Sequence, residues 1–340
     1  MRQAFAVPLC YFPSLVLFLD NGHDFLLSVL LQLNEQVAYR WFDSSIEALD
    51  FVNNYHQKYD VLARHCASEY REVQSSFHFH IDQALSALYA EIYNPYRFSE
   101  LSVMVIDSSA RGMDGFEFCR RVGHSMTKKL LLIHPEEEEK AQEALSTGII
   151  DGYLDKKNPE MIERIHQEIS RLQVDYFLSM SYSISRALNL VVSDCLKETG
   201  FQLLMNSIVS RYRIIEYYLI DREGSFLLLD EDANPSVLII NSFKKIEEYA
   251  LFATMNGAPE ELVDAITNGE KVPCSFLLSS ESHTWLDWQD TLISAIKVEI
   301  GEGVIITYLP GHLLRALRDR KILSYHRYLN ELDAEELSFI

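Results

Sequence analysis

Asp107 closes the apolar run Val103-Met-Val-Ile106, and Met113-Asp114-Gly115 follows after a short loop. Two more polar residues stand in the same kind of place. Asp20 ends the run Leu15-Val-Leu-Phe-Leu19, and Lys156 ends Tyr153-Leu-Asp155. A carboxylate at the carboxyl end of a buried strand can attack an electrophile or ligate a metal. Open α/β sheets gather their reactive groups at that end. If these strands lie side by side, two carboxylates and one ammonium face a common pocket. Paired carboxylates suit Mg2+, which takes few protein oxygens and keeps water or a phosphate oxygen in its shell. A lysine supplies a mobile cation for a phosphoryl oxygen. The same three side chains could also form a salt bridge and nothing more.

The elements that must hold them follow from hydrophobic periodicity. Strands are expected at Leu15–Leu19, Val37–Phe42, Val103–Ile106, Leu130–Ile133 and Ile149–Leu154. Between them, helical spacing runs from Asp24 to Leu33, from Ile46 through Val52, from Gly115 to Arg121, and from Pro135 through Leu145. Strand and helix alternate, which predicts a doubly wound parallel α/β sheet. About 53–100 breaks the alternation as a helical insertion, with segments near Lys58–Val73 and Ile81–Tyr93 closed by Pro95. Asn158-Pro159 opens a helix through Leu172 that could run on to Leu196. Its apolar stripe (Ile162, Ile165, Ile169, Leu172, Tyr176) could form a seam between two copies or pack on its own chain.

The second half changes texture. Ile214–Ile220 and Phe226–Leu229 flank Asp221-Arg-Glu-Gly224, a hairpin signal. Val237–Ile240, Cys274–Leu278 and Val304–Leu309 read as further strands, with helices at Ile246–Met255 and Glu260–Ile266. This half is expected to be α+β with an antiparallel sheet. The division expected is 1–172, then linker helices over 173–210, then 211–340.

Composition narrows the function classes. The 340 residues are 48% hydrophobic and 24% charged, enough for two cores. The formal net charge of -20 argues against nucleic acid as the default partner. Cys10, Cys66, Cys119, Cys195 and Cys274 are scattered and odd in number, which fits a reducing cytoplasm rather than a disulfide framework. Phe12–Leu19 is far shorter than the roughly 20 apolar residues of a membrane span, and reads as a strand rather than a leader. His78 and His80, with His65-Cys66 upstream, have irregular spacing and lack a second clear pair for zinc. Arg315, Arg318, Arg320, Lys321 and Arg327 read as a solvated helical face or a contact for an acidic partner. Were they a DNA-binding surface, the chain would be a transcriptional regulator. Trp285 and Trp288 read as packing residues. A small-ligand enzyme in the second half has no supporting motif.

Residues about 14–172 resemble the receiver domain of bacterial two-component response regulators. The residues that carry the likeness are Asp20, Asp107 through Gly115, and Tyr153-Leu-Asp-Lys156. The segment Glu216–Asp230, with Asn256-Gly-Ala-Pro259 beyond it, is similar to an output domain attached to some receivers. The chain as a whole is similar to a quorum-sensing response regulator. The resemblance implies that Asp107 accepts a phosphoryl group from a sensor histidine kinase. It implies a Mg2+ site of Asp20, Asp107 and the main-chain carbonyl of Ser109, with Lys156 on a phosphoryl oxygen and Tyr153 as the aromatic switch. It further implies a phosphorylation-linked homodimer, a protein-binding output domain without enzymatic activity, and control of virulence programmes. Three positions depart from the family. Asn21 replaces a second acid, which should weaken Mg2+ binding. His134 replaces a Thr or Ser after the fourth strand, and Arg111 stands where Pro is usual. The departures leave open a receiver that signals without phosphorylation.

Overall fold

The computed structural model describes residues 5–22, 28–29, 37–58, 85, 88, 90–123, 125–273, 291–298, 300, 304–309 and 322–337. Their contacts group into two units. One holds residues 12–65, 95–183 and 325–340; the other holds 1–11, 66–94 and 184–324. The helix expected at Asp24–Leu33, most of the insertion, Cys66, Cys274–Leu278, the His65, His78 and His80 group, Trp285 and Trp288, and Arg315 through Lys321 lie wholly or largely outside the described residues.

The first strand, β1 (Cys10–Tyr11), belongs to the second unit. The first unit is built on β2 (Leu15–Leu19), β3 (Tyr39–Phe42), β4 (Leu101–Asp107), β5 (Lys128–Ile133) and β6 (Gly152–Asp155). All pairings are parallel, in the order β3-β2-β4-β5-β6. This is the expected doubly wound sheet. β4 is buried at every position, as a central strand covered on both faces must be.

Helices of this unit include α1 (Ser45–Lys58), α2 (Gly115–Val122), α3 (Glu138–Ser146) and all of α4 (Met161–Ala187) but its end from Ile184. Met161, Ile165, Ile169 and Leu172 of α4 recur at helical spacing. They close on Val16, Phe18, Val103, Val105, Leu130 and Leu132 of the sheet. The stripe read from the sequence thus packs on its own chain. Further along, Tyr176, Phe177, Met180 and Ile184 are also buried. The helix runs 27 residues and stops at Ala187, short of Leu196. Asn189 takes a left-handed φ of 47°, and Leu190 N–H returns to Ser185 O at 2.8 Å, which satisfies the helix end.

In the second unit an antiparallel sheet runs in the order β1-β7-β8-β9-β13-β12. Its strands are β7 (Ile214–Leu219), β8 (Phe226–Asp230), β9 (Pro235–Ser242), β12 (Ile296–Val298) and β13 (Val304–Leu309). The short strands β10 (Lys271–Pro273) and β11 (Leu292–Ser294) pair apart from it. The hairpin read at Asp221–Gly224 joins β7 to β8. Asp221 Oδ1 accepts the N–H groups of Gly224 and Ser225, each at 2.9 Å, and Gly224 takes the φ of +110° that the turn needs. Helices α5 (Thr199–Tyr212), α6 (Phe243–Met255) and α7 (Glu260–Thr267) belong to the same unit. The last helix, α8 (Tyr325–Leu337), groups with the parallel sheet. There Tyr325 Oη accepts Ala38 N–H at 2.9 Å, and Tyr325 and Tyr328 flank Phe98.

Candidate functional site

Register brings the strand ends into line. Leu19 pairs with Ile106, Asp107 with Leu132, and Ile133 with Asp155. Asp20, Asp107, His134 and Lys156 therefore end up on one rim of the sheet. Lys156 Nζ lies 2.8 Å from Asp20 Oδ2 and 2.8 Å from Asp107 Oδ2. Both carboxylates are 4% exposed and the lysine 16%. A buried carboxylate without a partner is costly, so the shared ammonium is what lets two of them sit together. Lys156 itself is set by its main chain, whose N–H extends the ladder to Ile133 O at 2.9 Å.

The loop after Asp107 folds back on its side chain. Ser109 donates its N–H to Asp107 Oδ1 at 3.1 Å and its hydroxyl to Oδ2 at 2.9 Å. Helix α2 begins directly above: Asp114 caps it by accepting Glu117 N–H at 2.8 Å, and Gly115 donates to Ser108 O at 2.9 Å. Only glycine fits at 115, because a Cβ there would meet Asp107 O at 2.4 Å. The Met113-Asp114-Gly115 triplet is thus the docking point of α2 on the strand end.

Two further hydrogen-bonded features shape the rim. Asn21 spans the loop, giving its amide Nδ2–H to Ser109 O at 2.7 Å and taking Arg111 N–H on Oδ1 at 2.6 Å. Glu137 in the loop after β5 accepts the Ser108 hydroxyl at 2.5 Å and the His134 N–H at 3.0 Å. The sequence signal for the second was present, since His134-Pro-Glu-Glu137 has the spacing at which a carboxylate reaches back to the start of a helix. The signal for the first was absent, because Asn21 and Ser109 are 88 positions apart. His134 is half-buried after β5. Tyr153 lies half-buried within β6, opposite Leu131, with β5 between it and the rim residues of β4.

The donor set can be tested against Mg2+. Among the described residues no group of three His, Cys, Asp or Glu side chains could hold a metal ion. Asp20 and Asp107 do meet through Lys156, and two carboxylates suit a cation that needs few protein oxygens and retains water. The lysine ammonium between Asp20 and Asp107 already marks a place where positive charge is stabilised.

No protein-family model matches the chain, and no curated protein matches it. Among solved structures, the chain is similar to the Legionella pneumophila response regulator LqsR. The two are 40% identical with a TM-score of 0.85, over 98% of this chain and 99% of that one. An adenylate cyclase from Rhodopirellula baltica matches at 17% identity and a TM-score of 0.34, over 50% of this chain and 94% of its own. A CheY-like receiver domain protein from Methanospirillum hungatei JF-1 matches at 16% and 0.29, over 47% and 97%. The last two scores are too low to bear on this chain. The first defines a response regulator with a receiver fold. The chain belongs to the family of LqsR. No helix among the described residues is long and apolar enough to cross a membrane.

Proposed function

We propose that the parallel-sheet unit is a phosphoacceptor receiver and that the antiparallel unit is its output. The observation that carries this is the bridge from Lys156 Nζ to both Asp20 and Asp107, 2.8 Å each, at the rim of the sheet. In this reading Asp107 attacks the phosphorus of a phosphohistidine on a sensor kinase. A carboxylate oxygen–phosphorus bond forms and the phosphorus–nitrogen bond breaks. The imidazole leaves with the electron pair and takes up a proton. Lys156 exchanges one carboxylate contact for a phosphoryl oxygen. Ser109 holds the carboxylate so that one oxygen faces the incoming group. Asp20, Asp107 and the Ser109 carbonyl would hold Mg2+, which when bound offsets the negative charge brought in by the phosphoryl group. His134 and Tyr153 would respond to the new charge, and the change would travel to a homodimer contact and to a protein partner of the output unit. In this reading the protein is a cytoplasmic regulator rather than an enzyme, acting in a quorum-sensing pathway that controls virulence; its 40% identity to the Legionella pneumophila response regulator LqsR supports the regulator part.

Treatment of the wild type and of Asp107→Asn with a small phosphodonor and Mg2+ tests the reading. Intact mass should rise by one phosphoryl group in the wild type alone. Equal labelling of both, or of neither, would leave the Lys156 bridge a structural salt bridge. The dimer is tested by mass in solution, which should increase with phosphorylation; an unchanged mass rejects it.

A further inference from the structure

Asn21 occupies the position where an acid would add a third negative charge to the rim, and the sequence alone reads it as a ligand lost. Its geometry points elsewhere. The side-chain amide uses both ends on the main chain of the phosphoacceptor loop: Nδ2–H donates to Ser109 O at 2.7 Å, and Oδ1 accepts Arg111 N–H at 2.6 Å. A carboxylate can accept from Arg111, but it has no proton for Ser109. Alanine can do neither. The loop is held from a second side at the same residue. Arg111 O accepts the hydroxyl of Ser45 at 2.8 Å and its N–H at 3.2 Å. Arg111 stands where the family has proline, so the restraint that a pyrrolidine ring would supply on φ is absent. Two side chains distant in sequence, Asn21 in the loop after β2 and Ser45 at the start of α1, supply hydrogen bonds in its place. Ser109, the other residue Asn21 grips, is the one that donates twice to Asp107.

We infer that Asn21 is a positioning residue that staples the Ser109–Arg111 loop over Asp107, rather than a vacated metal ligand. The inference deepens the phosphoacceptor reading and rests on it for its consequence, but the staple itself can be measured without any phosphoryl transfer.

The experiment uses the full chain as wild type, Asn21→Ala and Asn21→Asp. The first readout is amide hydrogen exchange at Arg111, followed by NMR. Loss of a hydrogen bond worth about 1 kcal/mol corresponds to roughly fivefold faster exchange. That acceleration is expected in Asn21→Ala and not in Asn21→Asp, whose carboxylate still accepts the N–H. The second readout is the phosphorylation rate with acetyl phosphate at saturating Mg2+, measured alongside the Mg2+ dissociation constant. A staple predicts that both variants fall below wild type at saturation, even though Asn21→Asp binds Mg2+ more tightly. A vacated ligand predicts the reverse: Asn21→Asp matches or exceeds wild type, and Asn21→Ala equals it. Unchanged Arg111 exchange in Asn21→Ala, or a saturated rate in Asn21→Asp at or above wild type, overturns the inference. If the wild type takes no phosphoryl group, the phosphoacceptor reading fails by itself, and Arg111 exchange alone decides whether the staple exists.

Discussion

Replacing Gly115 with alanine sets two known effects against each other. The residue opens α2, where exchanging glycine for alanine ordinarily stabilises by roughly 0.5–1 kcal/mol. Here the added methyl would lie 2.4 Å from Asp107 O, 2.9 Å from Ser108 Cα and 3.0 Å from Asp107 C. Nonbonded heavy atoms settle at about 3.5 Å, so the strand end and the helix must part by about 1 Å. All three atoms are main chain, and no rotamer can relieve them. Overpacking of this kind costs about 1–3 kcal/mol. A main-chain overlap that no rotamer relieves takes the upper part of that range, about 2–3 kcal/mol, and subtracting the helix gain leaves a net loss of about 1–2.5 kcal/mol. With a urea dependence near 2 kcal/mol per molar, the unfolding midpoint of the parallel-sheet unit should drop by roughly 0.5–1.25 M. Gly200→Ala is the control. It sits in α5, and its new methyl would meet Ile300 at 3.6 and 3.7 Å, ordinary contact distances. It should stabilise by about 0.4–1 kcal/mol. Because two units need not melt together, amide exchange in each sheet should be followed through the titration. Wild-type stability in Gly115→Ala, with Gly200→Ala behaving as expected, would refute the close approach of α2 to the end of β4.

Other expectations follow from burial and charge. Lys156→Met removes the ammonium shared by Asp20 and Asp107, and stripping one partner from buried charges costs about 3–5 kcal/mol. The loss should shrink when Mg2+ is added, and unfolding curves insensitive to Mg2+ would count against a cation site at this rim. Cys119 is fully buried, and desolvation pushes its thiol up from the ordinary 9.0 to about 12. The fold therefore keeps a proton that the unfolded chain gives up near pH 9. This contribution is complete below that pH and is lost as pH rises toward 12. At pH 8 an alkylating reagent should reach Cys119 only through opening of the fold, and peptide mapping that finds it modified as fast as an unfolded control would contradict the burial.

The architecture of the rim was legible because its signals are local. An apolar run that stops at a polar residue marks a strand and its end wherever it occurs; Asp20 and Asp107 sit at such stops, and Lys156 stands one residue past the stop at Asp155. The shifted boundaries also have local causes. The strand expected from Ile149 begins at Gly152, because Gly148 takes a φ of +71° and Ile149 N–H is still closing α3 onto Ala144 O at 2.9 Å. The helix expected from Pro135 opens instead with a tighter turn over Pro135–Glu137 before α3 proper.

What the chain order could not contain is which strands become neighbours. Two residues, Cys10–Tyr11, carry no period, yet they pair with β7 more than 200 positions away. The order β3-β2-β4-β5-β6 sets Asp20 beside Asp107, and the register of Leu19 with Ile106 makes their carboxylates level. The grip of Asn21 on Ser109 and the reach of Glu137 to Ser108 span 88 and 29 positions. Residue types alone therefore determined that the chain has a parallel sheet with acids and a lysine at strand ends. Tertiary packing decided that those ends meet, and that a neutral amide rather than a third acid holds the loop above them. Strand patterning is a property of a few adjacent residues, whereas closure between distant ones depends on the free energy of the whole fold.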